Sequence, residues 1–177
     1  MEPRDTFNTE HLVLRRPALT DTLAVYEYAS DSEVTRFMDW ATHQNARDAL
    51  NFLRRCTASW EDGTEYTWAV TVKPKDHAVG MVSCRIQGHA ASMGYALNRR
   101  YWGQGYATEA AATVMSWMFS LSPVCRVWAT CDAANLASAR VLEKLEMTRE
   151  GIMRKPVLRP NIGGEPRDAL IYARIKS

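Results

Sequence analysis

The chain has 177 residues, enough for one well-buried domain and too few for two ordinary ones. Its 22 basic and 20 acidic side chains give a net charge of +2, which argues against nucleic acid as the main partner. No run of the chain approaches the roughly 18 apolar residues of a membrane helix, and no apolar leader opens it. We therefore expect a cytoplasmic protein with no membrane partner. The spacing of the four cysteines predicts free thiols, without a disulfide or a bound metal.

The first third of the chain predicts one strand and two helices. Apolar residues alternate with polar ones in a half-buried strand over 9–15. Thr20 is typical of an N-cap, and the helix that follows it would turn Leu23 inward. Apolar residues at helical spacing predict a second helix from about Thr42, which would end at a C-terminal cap at Gly63.

The hydrophobic period then changes from 3.6 to 2. Three alternating segments over 66–72, 79–87 and 93–97 are joined by short turns, which predicts an antiparallel meander. A helix over 108–119 and a strand over 126–131 follow. The third strand, this helix and the next strand form a βαβ unit, so the two strands should be parallel neighbours.

The last third predicts one more helix and two strands. Asn135 is expected to cap a helix whose inner face begins with Leu136, and strands over 152–158 and 168–175 flank a loop. The whole chain, 1–177, is thus predicted to be a single domain of the α/β class, or α+β by some criteria. Its sheet would be mixed and mostly antiparallel, with helices on both faces.

Residues 99–110 read RRYWGQGYATEA and place two glycines directly before a helix. At a helix N-terminus several backbone N–H groups lack a partner, and the helix dipole adds partial positive charge. Because Gly103 and Gly105 have no Cβ, an anion can approach these amides, so the loop predicts a phosphate site. The loop is not a P-loop, since no Lys-Ser or Lys-Thr pair follows. Nor is it a dinucleotide fingerprint, because Thr108 stands where a third glycine is required.

A second motif, NLASARVLEKLEM, begins at Asn135 and opens the next predicted helix. Together the two motifs resemble the acyl-CoA-binding signatures of the GCN5-related N-acetyltransferase (GNAT) family. The closer resemblance is to the branch that includes the ribosomal-protein N-terminal acetyltransferases. It extends from about residue 9 to residue 175 and implies a GNAT fold in which the two parallel strands splay apart.

The resemblance implies that acetyl-CoA is the cosubstrate, with its pyrophosphate held by backbone N–H groups of the glycine loop. Arg140 and Lys144 would pair with the ribose phosphate or the adenine side, or form a solvated helix face with Glu143. Glu146 departs from the family, which usually has a glycine there as the helix C-cap; a left-handed conformation would cost a glutamate about 1 kcal/mol. The expected pyrophosphate loop comprises Arg100, Gly103, Gln104, Gly105, Tyr106, Ala107 and Thr108.

The resemblance also implies a catalytic centre between the splayed strands. The amides of Tyr95 and Leu97 would bind the pantetheine arm as an added strand would, and the Leu97 N–H would stabilise the developing oxyanion. Asn135 would contact pantetheine while also capping its helix. Many relatives place a tyrosine seven positions after this asparagine to protonate the leaving thiolate, but here that position is Leu142. Ser138, which faces the same gap, is therefore our predicted proton donor.

The general base stays open. Some relatives carry a glutamate on the strand just before the Gly-Tyr pair, where this chain has Ser92 and Met93. An amine with a pKa near 8 needs little help, so water is sufficient in principle. The other candidates are Asp132, His89 and Glu150.

These residues predict acetyl transfer from acetyl-CoA to a primary amine by direct attack, without a covalent enzyme intermediate, since no cysteine has an evident histidine partner. The acceptor should enter between an aromatic connector at 37–40 and a loop at 153–167. Protein N-termini, amino acids, polyamines and antibiotics all remain open as acceptors, as does a homodimer. The alternatives are an acyl-CoA-binding regulatory protein without catalysis and a nucleotide-binding module.

Overall fold

Alternating apolar and polar residues build one eight-stranded sheet. The computed structural model describes residues 3–176. Its strands are β1 (Thr6–Asn8), β2 (Leu12–Arg15), β3 (Tyr66–Val72), β4 (Ala78–Gln87), β5 (Ala90–Leu97), β6 (Arg126–Asp132), β7 (Thr148–Leu158) and β8 (Pro166–Ile175). They lie in the order β1-β2-β3-β4-β5-β6-β8-β7, and every neighbouring pair is antiparallel except β5–β6.

Helices cover both faces of this sheet. Those on one face, α4 and α5, pack on a core that includes Trp68, Val114 and Leu142. On the other face α1 and α3 pack on a second core around Val25 and Leu53. The helices are α1 (Thr22–Ala29), α2 (Ser32–Thr35), α3 (Ala46–Asp62), α4 (Tyr106–Ser120) and α5 (Leu136–Lys144).

The predicted βαβ unit is confirmed as β5-α4-β6. The two strands are parallel but pair only over 90–92 and 126–128. Beyond Ser92 and Trp128 they separate, and a gap opens between their carboxyl ends. The predicted class, a mixed and mostly antiparallel sheet with one splayed parallel pair, is therefore confirmed.

Several predicted helix details were wrong. Thr20 is not an N-cap but lies inside a short 3₁₀ turn, and α1 begins two residues later. This displacement changes which face is buried, and Leu23 is 73% exposed. The second helix begins after Asn45, whose side chain accepts from the Arg47 amide, so the N-cap lies three residues beyond Thr42. Leu136 is exposed because it occupies the first position of α5, beyond the reach of the core.

Other element bounds were too short. The strand predicted over 9–15 is shorter, β2 alone, and β1 at Thr6–Asn8, which was not predicted, pairs with it across a tight turn. The helix predicted from residue 108 begins at Tyr106, and the strand predicted from residue 152 begins at Thr148. Because β7 ends at Leu158 and β8 begins at Pro166, the loop between them is only 159–165, and the loop expected over 153–167 beside the acceptor was wrong at both ends.

Candidate active site

The glycine loop opens α4 with backbone groups alone. Gly103 and Gly105 have φ values of 74° and 84°, a left-handed conformation that favours glycine, and a Cβ on either would project into open space. Gly105 is the N-cap and supplies no side chain to the free amides. The first amide of the helix with a carbonyl partner is that of Glu109. The six amides of 103–108 therefore have no acceptor within residues 3–176.

The arginines before this loop are already paired. Arg99 lies 3.1 Å from Asp31, and Arg100 donates to Glu27 at 2.8 Å. The Gln104 side chain donates to the Arg100 carbonyl and steadies the turn. Positive potential at the loop thus comes from the free amides and the dipole of α4, with these guanidinium groups held by α1 and its adjoining turn.

The open edge of β5 offers amides to the gap. The Asn98 N–H donates back to Val79 on β4 at 2.7 Å. Because successive amides of a strand point to opposite edges, those of Tyr95 and Leu97 point away from β4 and toward the gap. No strand of the described chain pairs with this edge beyond Ser92. The geometry expected of an edge that can accept an added strand is therefore present.

Helix α5 begins at the opposite side of this gap. The Asn135 side chain accepts from the Ser138 amide at 3.1 Å, so its predicted N-cap role is confirmed. The Tyr95 hydroxyl lies 3.0 Å from the Ser138 hydroxyl, where either group can donate, and 3.2 Å from the Ser138 carbonyl, to which its one proton can be donated instead. Burial raises the pKa of Tyr95, so its phenol remains protonated. Strand alternation could have placed Tyr95 on this face, but the pairing of its side chain with Ser138 was missed.

Cys131 lies beside this pair, 4% exposed at the end of β6. Burial raises the pKa of its thiol to about 11, so it stays protonated near neutral pH and is a poor nucleophile. All four cysteines are free in the structure. No three metal-binding side chains converge within residues 3–176.

The carboxylate candidates for a general base are engaged in ion pairs. Glu150 accepts from Arg126 through both of its oxygens, and this bond lowers the pKa of Glu150. Burial opposes the ionisation of Asp132, but hydrogen bonds from Arg167 and the Ala134 amide outweigh it and lower the pKa of Asp132. Both groups are weak bases as a result.

His89 is too far away to act as the base. It occupies the hairpin turn before β5, at the closed end of the parallel pair. Eight residues separate it from Leu97, and at about 3.3 Å per residue this is roughly 25 Å.

At the C-terminal half of α5, the expected left-handed residue is present but the ion pair considered with Glu143 is not. Arg140 and Lys144 are exposed, and neither has an ion-pair partner within the described residues. Glu143 instead accepts from the Tyr172 hydroxyl at 3.1 Å, so it is not the partner considered for these cations. Glu146 has a φ of 58°, which confirms a left-handed residue where a glycine C-cap is usual.

One cavity of about 710 Å³ spans the gap and joins the two faces of the sheet. Ser138, Asn135 and Cys131 line it on the α5 side, and the 37–40 connector lines it on the α1 side. Arg159, from the loop between β7 and β8, completes the wall. The cavity therefore leads from the gap to the two segments that were expected to flank the acceptor.

A single asparagine joins those two segments. The Asn161 side-chain oxygen accepts from the amide and hydroxyl of Thr42, at 2.9 and 3.0 Å. Its nitrogen donates to the carbonyls of Thr35 and Trp40, at 2.7 and 2.9 Å. We call this set of four bonds the Asn161 latch. Sequence reasoning missed it, because nothing local marks an asparagine whose partners lie more than a hundred residues away.

The described residues include no helix of the length and apolarity needed to cross a bilayer.

A family model described as an acetyltransferase (GNAT) domain matches residues 11–148. A curated relative, the uncharacterized N-acetyltransferase YnaD of Bacillus subtilis (strain 168), is 32% identical over 155 residues. That match covers 86% of this chain and 88% of the relative.

Solved structures share the fold over nearly the full chain. A GNAT-family acetyltransferase from Bacillus anthracis is 28% identical with a TM-score of 0.84, covering 96% of this chain and 98% of that one. The microcin C7 self-immunity acetyltransferase MccE, solved with acetyl-CoA and AMP, has a TM-score of 0.84 at 21% identity, covering 94% and 93%. The ribosomal L7/L12 α-N-protein acetyltransferase RimL, solved with coenzyme A in a disulfide to a cysteine, has a TM-score of 0.83 at 20% identity, covering 95% and 96%. The family resemblance drawn from the two motifs is confirmed: this chain belongs to the GNAT family of acetyltransferases.

Proposed function

We propose that this N-acetyltransferase moves an acetyl group from acetyl-CoA to a primary amine by direct attack of the amine on the thioester. The observation that carries the proposal is the continuity of unpaired amides. Six of them, at 103–108, form an anion site at the N-terminus of α4, and those of Tyr95 and Leu97 continue along the open edge of β5. The pyrophosphate and pantetheine of acetyl-CoA present anionic oxygens and amides in that order.

The side chains at the gap supply the remaining chemistry. As the amine nitrogen bonds to the acyl carbon, the Leu97 N–H donates to the oxygen that gains charge. The C–S bond then breaks, the amine gives up its proton to water, and Ser138 donates its proton to the leaving thiolate and regains one from water. Tyr95 orients the Ser138 hydroxyl through their 3.0 Å hydrogen bond. The Cys131 thiol, with its raised pKa, takes no part as a nucleophile.

The test measures binding and turnover separately. Calorimetry with CoA reports the donor site. Mass detection of the acetylated amine reports catalysis and avoids thiol reagents, which would also react with the exposed Cys125. Acetylation above the uncatalysed rate of any member of a panel (a peptide N-terminus, an amino acid amide, a polyamine or an amine antibiotic) supports the proposal.

The same measurements separate the alternatives. Tight CoA binding with no acetylation of any amine would instead indicate an acyl-CoA-binding regulatory protein, an alternative that the ion-paired states of Asp132 and Glu150 keep open. Tight ATP binding that CoA does not displace would indicate a nucleotide-binding module.

A further inference from the structure

Arg159, in the wall of the cavity, has only one long ion pair and no hydrogen bond for its charge within residues 3–176. Its side chain is 8% exposed, and the nearest carboxylate oxygen, on Asp132, lies 3.9 Å from its Nε, beyond hydrogen-bond distance. Within residues 3–176 its guanidinium donates no hydrogen bond. Buried arginines are normally paired, because an unpaired buried charge is costly. The five N–H donors of this group are therefore available to something in the cavity.

The neighbouring carboxylate is already neutralised. Asp132 accepts from Arg167 at 2.7 and 3.1 Å and from the Ala134 amide at 2.9 Å. Asp132, Arg159 and Arg167 together carry a net charge of +1. Arg167 neutralises Asp132, so the remaining positive charge is that of Arg159, which lines the cavity. Such a site favours an anion with two oxygens, which a guanidinium binds through parallel hydrogen bonds.

The other charged groups on the cavity wall do not supply this anion. Glu65 accepts from Arg85 at 2.8 Å, and Asp39 is exposed on the connector. His43 also lines the cavity, with an Nδ1 that has no partner; burial lowers the pKa of its ring, which favours the neutral form. The Asn161 latch, two residues after Arg159, holds the loop in place.

We infer that the acceptor carries an anionic group, a carboxylate or a phosphate, which pairs with Arg159 while the amine lies at the gap between β5 and β6. This inference rests on the proposed function and narrows its substrate class to acidic amines. Neutral amines of the same shape would leave the guanidinium unpaired and would be poorer acceptors.

The experiment compares matched acceptors in matched variants. Aspartic acid α-amide is paired with asparagine α-amide to test a carboxylate, and O-phosphoserine amide with serine amide to test a phosphate. Each is assayed at saturating acetyl-CoA with the wild type, Arg159→Met, Arg159→Lys and the control Arg154→Met. Arg154 is a suitable control because it lies on β7, is 78% exposed and pairs with Asp168 outside the cavity.

We expect the wild type to prefer one anionic acceptor over its neutral match by at least tenfold in kcat/KM. The preference should fall below threefold in Arg159→Met, persist in part in Arg159→Lys, which keeps the charge, and stay unchanged in Arg154→Met. Arg159→Met should fold, since Arg167 still neutralises Asp132, and thermal unfolding checks this. Equal use of the paired acceptors by the wild type, or a preference that survives Arg159→Met, would overturn the inference.

If no amine is acetylated, the proposed function fails and binding decides the inference. The same four compounds are then titrated calorimetrically into the CoA-loaded protein. Tighter binding of an anionic compound that is lost in Arg159→Met supports the inference, and equal binding within both pairs overturns it.

Discussion

Replacing Gly105 with valine should have two effects: it strains the backbone, and it obstructs the amides that we expect to bind the CoA pyrophosphate. At φ 84° a β-branched side chain is strained, at about 1–2 kcal/mol. Its Cβ meets no atom within 4 Å, so the protein itself offers no clash. We infer that the added side chain occupies space that an anion needs to reach the unpaired amides. We expect Gly105→Val to weaken CoA binding at least tenfold, about 1.4 kcal/mol.

The chain contains a matched control for the strain. Gly88, in the exposed turn between β4 and β5, has a φ of 61°, and a Cβ there also meets nothing within 4 Å. Gly88→Val should therefore cost about the same stability, which lowers Tm by roughly 2 to 8 °C in a domain of this size. It should leave CoA affinity unchanged, because the turn lies at the closed end of the sheet.

Calorimetry with CoA and thermal unfolding of both variants distinguish the two effects. Equal CoA affinity in Gly105→Val and the wild type would refute the assignment of the pyrophosphate to this loop. A comparable loss of affinity in Gly88→Val would show that general destabilisation, and not the blocked amides, weakens binding.

Three further predictions concern other residues. Ser138→Ala should lower kcat by roughly tenfold to a hundredfold with CoA affinity intact, and Tyr95→Phe should lower it by about fivefold, the value of one hydrogen bond; unchanged single-turnover rates would contradict both roles. Asp132→Asn should destabilise the fold by about 3 kcal/mol, because it removes the carboxylate that is hydrogen-bonded to Arg167 and leaves that charge without a partner. Because folding lowers the pKa of Asp132, the ionised carboxylate stabilises the fold fully above its ordinary pKa of 3.8. The difference in unfolding free energy between Asp132→Asn and the wild type should therefore shrink as the pH falls below 3.8. A difference that stays constant with pH would contradict this. A native thiol titration should find Cys125 fast and the other three cysteines reactive only after denaturation, and fewer than four thiols in the denatured, unreduced protein would indicate a disulfide.

The donor side of the site could be predicted because its residues are consecutive in the chain. A strand, two glycines and a helix in succession predict the unpaired amides of 103–108. An asparagine directly before a helix predicts the N-cap, in which Asn135 accepts from the Ser138 amide. The one contact missed there, between Tyr95 and Ser138, crosses the gap between two elements. Local patterns place each residue on its own element but do not identify partners across a gap.

The acceptor side could not be predicted for the same reason. Arg159 and Asn161 lie on a loop without a motif, and their significance depends on burial and on partners elsewhere in the chain. Both also lie beyond residue 148, where the match to the family model ends. The amides of 103–108 and Ser138, by contrast, lie within that match.

The Asn161 latch has a consequence for synthesis. Its four bonds join residues 119 to 126 positions apart. At about 5–20 residues per second, a ribosome needs roughly 6 to 25 s to reach Asn161 after it has made the connector. All the donor-side residues, through Ser138, are translated before Asn161. The residues expected to bind CoA are therefore all present in the nascent chain several seconds before the latch that orders the acceptor side can form.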